Sequence, residues 1–416
     1  MRTANRFGGI LICLMASGLS AQDMSKITDF RIWGIDTQVH GFLTQGFSYS
    51  NDNSFLTMDT SHGSFAFTDG GLNVSARLTD KFRVGAQVYD RNVGNFGKWH
   101  PSLDWGYGDY RFTEWFGIRG GKVKTTLGLF NDTQDMDSLH TFALLPQSMY
   151  PVDLRDCNIA HTGGDLYGNI PLKRLGTLSY TTYAGNRQDS LYGGYPYLLH
   201  QFGISLTSYG GLQYGGDLRW NTPLPGLLVG GSHMRQEITG TGMFDPSVTA
   251  PVPPAWVPYK EWSNKDQTNQ LYTELAAGNL RLDGEYRRYW RDQQIFNGLF
   301  EITTDVRSWY VSASYRVAKH LEFGSYYSRF TDNWVSGVPG QIESPSQSSP
   351  DRHLYDRVIT ARVDLTQHWY AKVEGHFMNG WAGLMYPDGF YPVVYTDTSI
   401  LKPTTNLLMV RTGFSF

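Results

Sequence analysis

Apolar and polar residues alternate along much of this chain, and the alternation is clearest between Gly71 and Asp90. There, apolar side chains occupy every second position on both sides of a short polar turn, Thr79 to Lys81. A period of two is typical of β-strands that have one apolar and one polar face. The pattern therefore predicts a β-hairpin whose apolar face consists of Leu72, Val74, Ala76, Leu78, Phe82, Val84, Ala86 and Val88.

The same alternation returns in later segments, and their polar faces contain many charged residues. The clearest of these segments are Leu280–Trp290, Trp309–Val317, Leu321–Phe330, Tyr355–Leu365, Trp369–Met378 and Thr404–Phe416. A cation that faced lipid near the membrane centre would cost about 2–4 kcal/mol. We therefore expect the apolar faces to contact lipid and the charged faces to line a wet lumen, with pore-lining residues Arg281, Asp283, Glu285, Arg316, Arg362, Lys372, Glu374 and Arg411.

The connections between these segments alternate between short and long. Short turns such as Gly278–Asn279 and Thr366–His368 alternate with long polar stretches such as Glu237–Gln267 and Arg291–Val306. Short turns on one rim and long loops on the other are typical of outer-membrane barrels. The fold prediction is an all-β transmembrane antiparallel barrel of about 16 strands. Two strands break the alternation, which predicts β-bulges at Gly108 and at the pair Gly120–Gly121.

The amino-terminal residues read as a cleavable signal for export. Arg2 and Arg6 precede an apolar stretch and a small-residue exit, which predicts a signal peptide over residues 1–21 and an outer-membrane barrel over residues 22–416. A net charge of −3 argues against a nucleic-acid partner. Cleavage would leave Cys157 alone, so the mature chain could form no intrachain disulfide, and no pattern for a metal or cofactor is present.

One long connection, Leu129–Thr162, differs from the others in composition. It places five aspartates beside the apolar run Phe142–Leu145, a mixture unsuited both to a lipid-facing strand and to a solvated linker. We predict that this segment folds back into the lumen and narrows it. Its acidic residues are Asp132, Asp135, Asp137, Asp153 and Asp156.

With its signal, alternating strands, short turns and final Phe416, the chain resembles the sixteen-stranded general porins of Gram-negative outer membranes. The resemblance implies passive diffusion of small hydrophilic solutes and ions, no enzymatic activity, no cofactor, contact with outer-membrane lipid and lipopolysaccharide, and a homotrimer. It also implies that the third long loop, which here is Leu129–Thr162, has acidic residues that face wall cations at a constriction. Those cations would be Arg77, Arg83, Arg119, Lys122 and Lys124.

Several alternatives remain open from the sequence. The loop acids could form a transverse field across the lumen, or ion pairs that pin the loop to the wall. The channel could be substrate-specific, for phosphate or an oligosaccharide, or the chain could be a secreted β-rich binding protein. His62-Gly63-Ser64 has the His-x-Ser spacing of a barrel esterase or phospholipase, but no orienting Asn can be assigned to it.

Overall fold

The computed structural model describes residues 29–32, 34–339, 350–383 and 400–416. The predicted signal peptide, residues 1–21, lies outside the described residues. Within the described ranges, no helix has the length and apolar character that crossing a membrane requires.

Most of the described chain is antiparallel β-strand. The strands are β1 (Asp29–Ile32), β2 (Ile35–Ser50), β3 (Ser64–Arg77), β4 (Phe82–Val93), β5 (Ser102–Thr113), β6 (Phe116–Lys124), β7 (Ala160–Pro171), β8 (Thr177–Gln188), β9 (Ile204–Asn221), β10 (Leu227–Phe244), β11 (Val257–Ala277), β12 (Leu280–Ile295), β13 (Phe300–Ala318), β14 (Leu321–Gly337), β15 (His353–Asp364), β16 (Trp369–Asn379) and β17 (Thr404–Ser415). Two short helices, α1 (Arg155–Asn158) and α2 (Gly194–Gln201), lie in connections between strands.

The sheet closes on itself. Each strand from β2 onward pairs with its neighbour in sequence, and β17 pairs with β2, where Val410 lies opposite Phe47. The last residue continues this seam, because the backbone N–H groups of Gly41 and Phe416 each donate to the other's carbonyl. The short strand β1 forms a hairpin with the start of β2. The predicted closed barrel of 16 antiparallel strands, β2 to β17, is confirmed.

The two faces of the wall follow the alternation in the sequence. On β16, Lys372 and Glu374 are fully buried, whereas Val373 between them is 50% exposed. Ile359 on β15 and Leu271 on β11 are similarly exposed, at 59% and 66%. Apolar side chains therefore cover the outside of the barrel, and polar side chains point inward.

Two of the predicted long connections are wrong. Strand β10 continues to Phe244 and β11 begins at Val257, while β12 and β13 are separated only by residues 296–299. The hydrogen-bond ladder runs well past the apolar stretch of each strand, as in the pairing of Asp292 with Thr303. These extensions have polar residues on both faces, so the alternation of apolar and polar residues could not predict them. The wall is consequently tallest from β9 to β14.

The predicted bulge positions are also wrong, although both affected strand pairs do contain an irregularity. Gly108 pairs regularly with Gly120, whereas the register of β5 shifts at Asp104 on one side and at Phe112 on the other. An extra residue in one strand redirects its side chain. At Asp104 this turns a carboxylate into the interior, where it is 3% exposed.

Substitution on the outer face tests the orientation of the wall. We expect Val373→Arg, in the middle of β16, to lower the free energy of unfolding in lipid vesicles by about 2–4 kcal/mol, because a cation at the membrane midplane loses its hydration. Leu365→Arg is the matched control at the short-turn rim, where the expected cost is about 0–1 kcal/mol. Equal costs at the two positions, measured by denaturant titration, would contradict a lipid-facing Val373.

Candidate functional site

The connection between β6 and β7, residues 125–159, crosses the interior of the barrel and is called the inner segment below. Its atoms bond to side chains of β4 and β5, of β9 and β10, and of β12 to β17. These strands stand on all sides of the barrel, and the contacting side chains are on the buried face. A segment that reaches all of them must lie inside, at about the middle of the wall.

The first attachment is to β16 and β17, and its centre is Asp137. The carboxylate of Asp137 lies 2.9 Å from Lys372 Nζ and 3.0 Å from Arg411 Nη1. The same two cations also donate to backbone carbonyls of the segment: Lys372 to Asp137 and Phe142 at 2.8 and 2.9 Å, and Arg411 to Ala143 at 2.9 Å. Two buried wall cations thereby satisfy both a charge and three carbonyl groups.

Glu374, one step along β16, holds the next turn of the segment. Its carboxylate accepts the backbone N–H groups of Ala143 and Leu144 at 2.8 and 2.9 Å. His376 lies between Glu374 and Asp356, with its two ring nitrogens 3.0 and 2.8 Å from their carboxylates. The wall thus supplies both donors and acceptors to consecutive peptide groups of the segment.

The second attachment is centred on Glu285 of β12. Its carboxylate accepts bonds from the backbone N–H of Leu129 at 3.1 Å, from the hydroxyls of Tyr150 and Tyr310 at 2.6 and 2.8 Å, and from Gln270 at 2.5 Å. Four donors around one buried carboxylate compensate for its lost hydration. Leu129 and Tyr150, which are 21 residues apart in the segment, therefore meet the same wall residue.

The third attachment joins the segment to β4, β5 and β6. Asp135 accepts from Lys124 Nζ at 2.7 Å and from Gln87 at 2.6 Å. Arg155, at the start of α1, pairs at 2.9 Å with Asp104, the residue at the bulge of β5.

Arg91 completes this third attachment. It donates to the carbonyl of Val152 at 2.6 Å and pairs with Asp156 at 2.8 Å. Asp104, Gln87, Arg91 and Arg155 were not singled out from the sequence. The pair of Asp104 and Arg155 could not be predicted from the sequence, because Asp104 points inward only through the β-bulge, and the position of the bulge depends on strand pairing.

The structure separates the predicted wall cations into different environments. Of the five, Lys124 contacts a loop acid, through its pair with Asp135. The others have wall partners or remain exposed: Arg83 pairs with Asp109 at 2.7 Å, Arg119 pairs with Asp165 at 3.0 Å, Lys122 donates to the carbonyl of Leu103 at 2.6 Å, and Arg77 lies exposed opposite Arg83.

The five loop acids are equally diverse. Asp135, Asp137 and Asp156 form the pairs described above, and Asp153 is buried without an ion pair in the described residues. Asp132 has a side chain that is 36% exposed and lies 4.0 Å from Arg219 of β9.

The remaining residues predicted to line the pore all point inward, and most have charged partners. Arg281 contacts Glu274 at 2.5 Å and Asp283 at 3.0 Å, and Arg316 contacts Glu322 at 2.9 Å. Arg362 pairs with Asp364 at 2.8 Å and also donates to two carbonyls of the inner segment, those of Ser138 and His140. The lumen wall is thus a network of compensated charges.

Above the inner segment, toward the long connections, the lumen is divided. On the side of β2, β3, β15, β16 and β17 it is filled by an apolar cluster that includes Leu56, Phe96, Leu144, Leu407 and Met409. On the opposite side a chamber of about 690 Å³ remains, lined by Arg187, Tyr195, Tyr209, Asp266, Tyr289, Arg291 and Trp334 among others.

The candidate esterase residues do not form a catalytic arrangement in the described structure. His62 Nδ1 lies 3.0 Å from Asp59, and the Ser64 hydroxyl accepts the backbone N–H of Ala66. Among the described residues, no group of three or more His, Cys, Asp or Glu side chains is placed to hold a metal ion.

The barrel resembles solved structures of known proteins, although the sequence alone has no match. No family model and no curated protein matches the sequence. Solved structures do match: OmpT, an outer membrane protein of Vibrio cholerae, has a TM-score of 0.55 at 9% identity, covering 93% of this chain and 99% of that one. The anion-selective porin from Comamonas acidovorans has a TM-score of 0.53 at 11% identity, covering 92% and 100%. Salmonella typhi OmpF in complex with daunomycin has 0.52 at 10%, covering 94% and 100%.

The fold is that of the Gram-negative outer-membrane porins. At these identities the likeness concerns the barrel alone. The attachments of the inner segment are therefore read from this chain's own contacts.

Two buried groups of the inner segment have displaced pKa values in this porin fold. Burial acts to raise the pKa of Asp137, but the charges of Arg411 and Lys372 outweigh it and hold the pKa below its ordinary value. Burial raises the pKa of Asp153 to about 6, because backbone hydrogen bonds and the charge of Arg91 offset the lost hydration only in part. The first residue is therefore charged, whereas the second titrates near neutral pH.

Removing Lys372 tests the first attachment of the porin-fold barrel. In Lys372→Met, two carbonyls lose their donor and Asp137 keeps one cation, so we expect local destabilisation of about 3–5 kcal/mol. Hydrogen exchange should accelerate in residues 137–144 while the strands stay protected. The control is Arg316→Met, which breaks a half-exposed pair and should cost about 0–1 kcal/mol. Unchanged exchange in the segment would contradict the attachment.

Asp153 should make the inner segment sensitive to pH. Its pKa rises from 3.8 to about 6 on folding, so the unfolded form ionises first and the segment loses stability as pH increases from about 4 to about 6. The protection factors of residues 150–156, which correct for the pH dependence of intrinsic amide exchange, should therefore fall over that range and level off above it. Asp153→Asn should remove the dependence, and a retained dependence in this variant would exclude Asp153 as its source.

Proposed function

We propose that this protein is an outer-membrane channel for passive diffusion of small hydrophilic solutes and ions. The observation on which the proposal depends is the sorting of side chains by the closed wall. Apolar residues such as Val373 and Ile359 cover the outside, while charged residues cover the inside. In lipid, that arrangement encloses a polar passage.

The proposed constriction lies where the inner segment passes the wall formed by β4 to β9. Charged side chains that remain partly exposed there are Arg83, Lys122, Asp132 and Arg219, with opposite charges 4.0 Å apart at Asp132 and Arg219. Opposed charges across a narrow aqueous lumen create a transverse field that favours polar solutes able to orient in it. We assign selectivity chiefly to this exposed set.

The other predicted constriction residues have a different proposed role. Asp135, Asp137 and Asp156 are paired with wall cations at 2.7–2.9 Å, which supports a function in holding the inner segment in place. We propose that Asp153, Arg77 and Arg119 lie beside the passage; among the described residues they form no ion pairs with one another. We therefore propose that some acids of this loop contribute to the transverse field, whereas others form ion pairs that hold the loop against the wall.

A substrate-specific channel is the second candidate, and the chamber above the inner segment favours it. Tyr195 and Tyr209 lie with ring centroids 4.7 Å apart, and Arg291 lies 5.5 Å from the Tyr195 ring. Aromatic faces beside Arg and Asp side chains suit the stacking and hydrogen bonding of an oligosaccharide. Phosphate is less favoured, because Arg187 and Arg291 of the chamber already have acidic neighbours, Asp189 and Asp266.

Export and assembly are part of the proposal. We infer cleavage of residues 1–21, insertion into the outer membrane of a Gram-negative bacterium, and a homotrimer surrounded by outer-membrane lipid. The apolar outer wall supports the location in a membrane. The porin fold supports the outer membrane in particular, because closed antiparallel barrels of this kind are an outer-membrane architecture.

Planar-bilayer recording tests the channel. Purified protein should give stepwise conductance, and the reversal potential in a salt gradient should report ion preference. Asp132→Asn should shift that preference toward anions and Arg219→Gln toward cations, because each removes one side of the proposed field. Arg288→Gln, on the outer face of the barrel, serves as control and should leave the reversal potential unchanged. Equal effects of all three variants would contradict the assigned constriction.

A further inference from the structure

One wall of the chamber above the inner segment is formed by β12, β13 and β14, and its charged side chains lie on the outer two of these strands. The strand register arranges the inward residues in rows, which are Arg287, Ser308 and Phe330, then Tyr289, Val306 and Asp332, then Arg291, Thr304 and Trp334. All of them except Ser308 line the chamber. Uncharged positions of β13 therefore separate the arginines of β12 from the aspartate of β14.

The charge of Arg287 has no partner on this wall. Arg287 is 9% exposed, and its Nε donates to Gln270 at 3.1 Å. Among the described residues it forms no ion pair, and its two Nη groups have no acceptor. The other arginines of the wall, Arg187 and Arg291, already have acidic neighbours. A buried guanidinium without an anion is costly, so the carboxylate of a ligand would stabilise Arg287.

Beside β14 the surplus charge is negative. Asp332 has no hydrogen bond or ion pair within the described part of the chain, and its Oδ1 is buried. Asp351 and Arg352 lie close enough for their charges to act on Asp332. Arg352 also serves Asp351, with Nε 3.7 Å from that carboxylate, and its guanidinium covers the Trp334 ring at 4.0 Å. Two carboxylates that share one guanidinium attract a further cationic group.

The sum of the charges argues against a purely anionic ligand. The arginines of the chamber are Arg187, Arg287, Arg291 and Arg352, and the aspartates that line it or pair with them are Asp153, Asp189, Asp266, Asp332 and Asp351. An anion would fit Arg287 but would be repelled at Asp332. A neutral oligosaccharide could stack on Tyr195 and Tyr209 but has no charge for either pole. A zwitterion supplies the missing charge at both poles.

The separation of the two poles limits the length of the ligand. Arg287 and Asp332 are two strands and two residues apart in the register, which corresponds to about 12 Å between their Cα atoms. The charged ends of an extended peptide are about 7–10 Å apart when it has two or three residues. Between the poles, Val306 and the rings of Tyr289 and Phe330 offer contacts for the side chains of such a peptide.

We propose that the chamber binds short zwitterionic peptides of two or three residues. The peptide carboxylate accepts charge-assisted bonds from the Nη groups of Arg287, and the peptide ammonium lies beside Asp332 and Asp351. A chamber of about 690 Å³ is within the size range of small-molecule sites. The inference names the substrate class of the substrate-specific channel, and it rests on that proposed function for transport but not for binding.

Isothermal titration calorimetry of the intact, detergent-solubilised protein tests the proposal. The probe is trialanine, which is compared with N-acetyl-trialanine, lacking the ammonium, and trialanine amide, lacking the carboxylate. We expect each modification to weaken binding about tenfold, because one charge-assisted contact is lost. This comparison uses the wild-type protein and so does not depend on the folding of a variant. Equal binding of the three peptides would overturn the proposal.

Two variants assign the poles. Arg287→Gln should weaken the binding of trialanine about tenfold and leave that of trialanine amide unchanged, because the amide has no carboxylate to lose. Asp332→Asn should weaken trialanine similarly and leave N-acetyl-trialanine unchanged. Arg288→Gln is the matched control, since it changes the next residue of β12 on the outer face, and it should bind all three peptides as the wild type does. Variants that weaken all three peptides alike would contradict the assigned poles.

Further measurements separate peptide binding from the other proposals. Maltotriose, a neutral oligosaccharide, should not displace trialanine, and displacement would assign the chamber to a sugar and overturn the proposal. Bilayer conductance of every variant reports folding. Protein that binds trialanine without conducting would refute the channel alone, whereas conducting protein that does not bind trialanine would refute peptide binding alone.

Discussion

The need to satisfy every backbone hydrogen bond within lipid is the constraint on which this structure depends. A peptide group left unpaired in hydrocarbon costs several kcal/mol, so strands can cross a membrane only in a closed sheet. The pairing of β17 with β2, completed by the bonds between Gly41 and Phe416, removes the open edges. Closure also creates an inside and an outside, and the two-residue period of the strands then sorts the side chains between them.

Inside the barrel, a second problem of the same kind arises for the inner segment. It has little regular structure, so its peptide groups need partners from elsewhere. Lys372, Glu374 and Glu285 of the wall supply them, together with charges that offset one another. Because each buried ion has several partners, the cost of removing it from water is shared among many bonds. Side chains of the wall thus hold the inner segment in its conformation.

The interior is unevenly divided as a result. Apolar side chains from several connections, among them Leu56 and Phe96, pack against Leu407 and Met409 on one side. Charged and aromatic residues line the chamber under the tall wall of β9 to β14 on the other. Charge is also unevenly distributed on the outer surface, where several arginines lie together on β12 to β15. A solute path on one side and lipid contacts on the outside are compatible, because adjacent residues of each strand serve opposite faces.

The sequence by itself determined the strand period, the apolar outer face and the inward placement of residues such as Lys372, Glu374 and Arg411, because alternation is a local property. It could not determine where strands end once both faces become polar, as beyond Arg291, or that the register shifts at Asp104 and not at Gly108. Pairing with the neighbouring strand decides those points. The partners of the loop acids were likewise decided only by tertiary structure: Asp137 meets Lys372, more than 200 residues away, solely because the barrel closes.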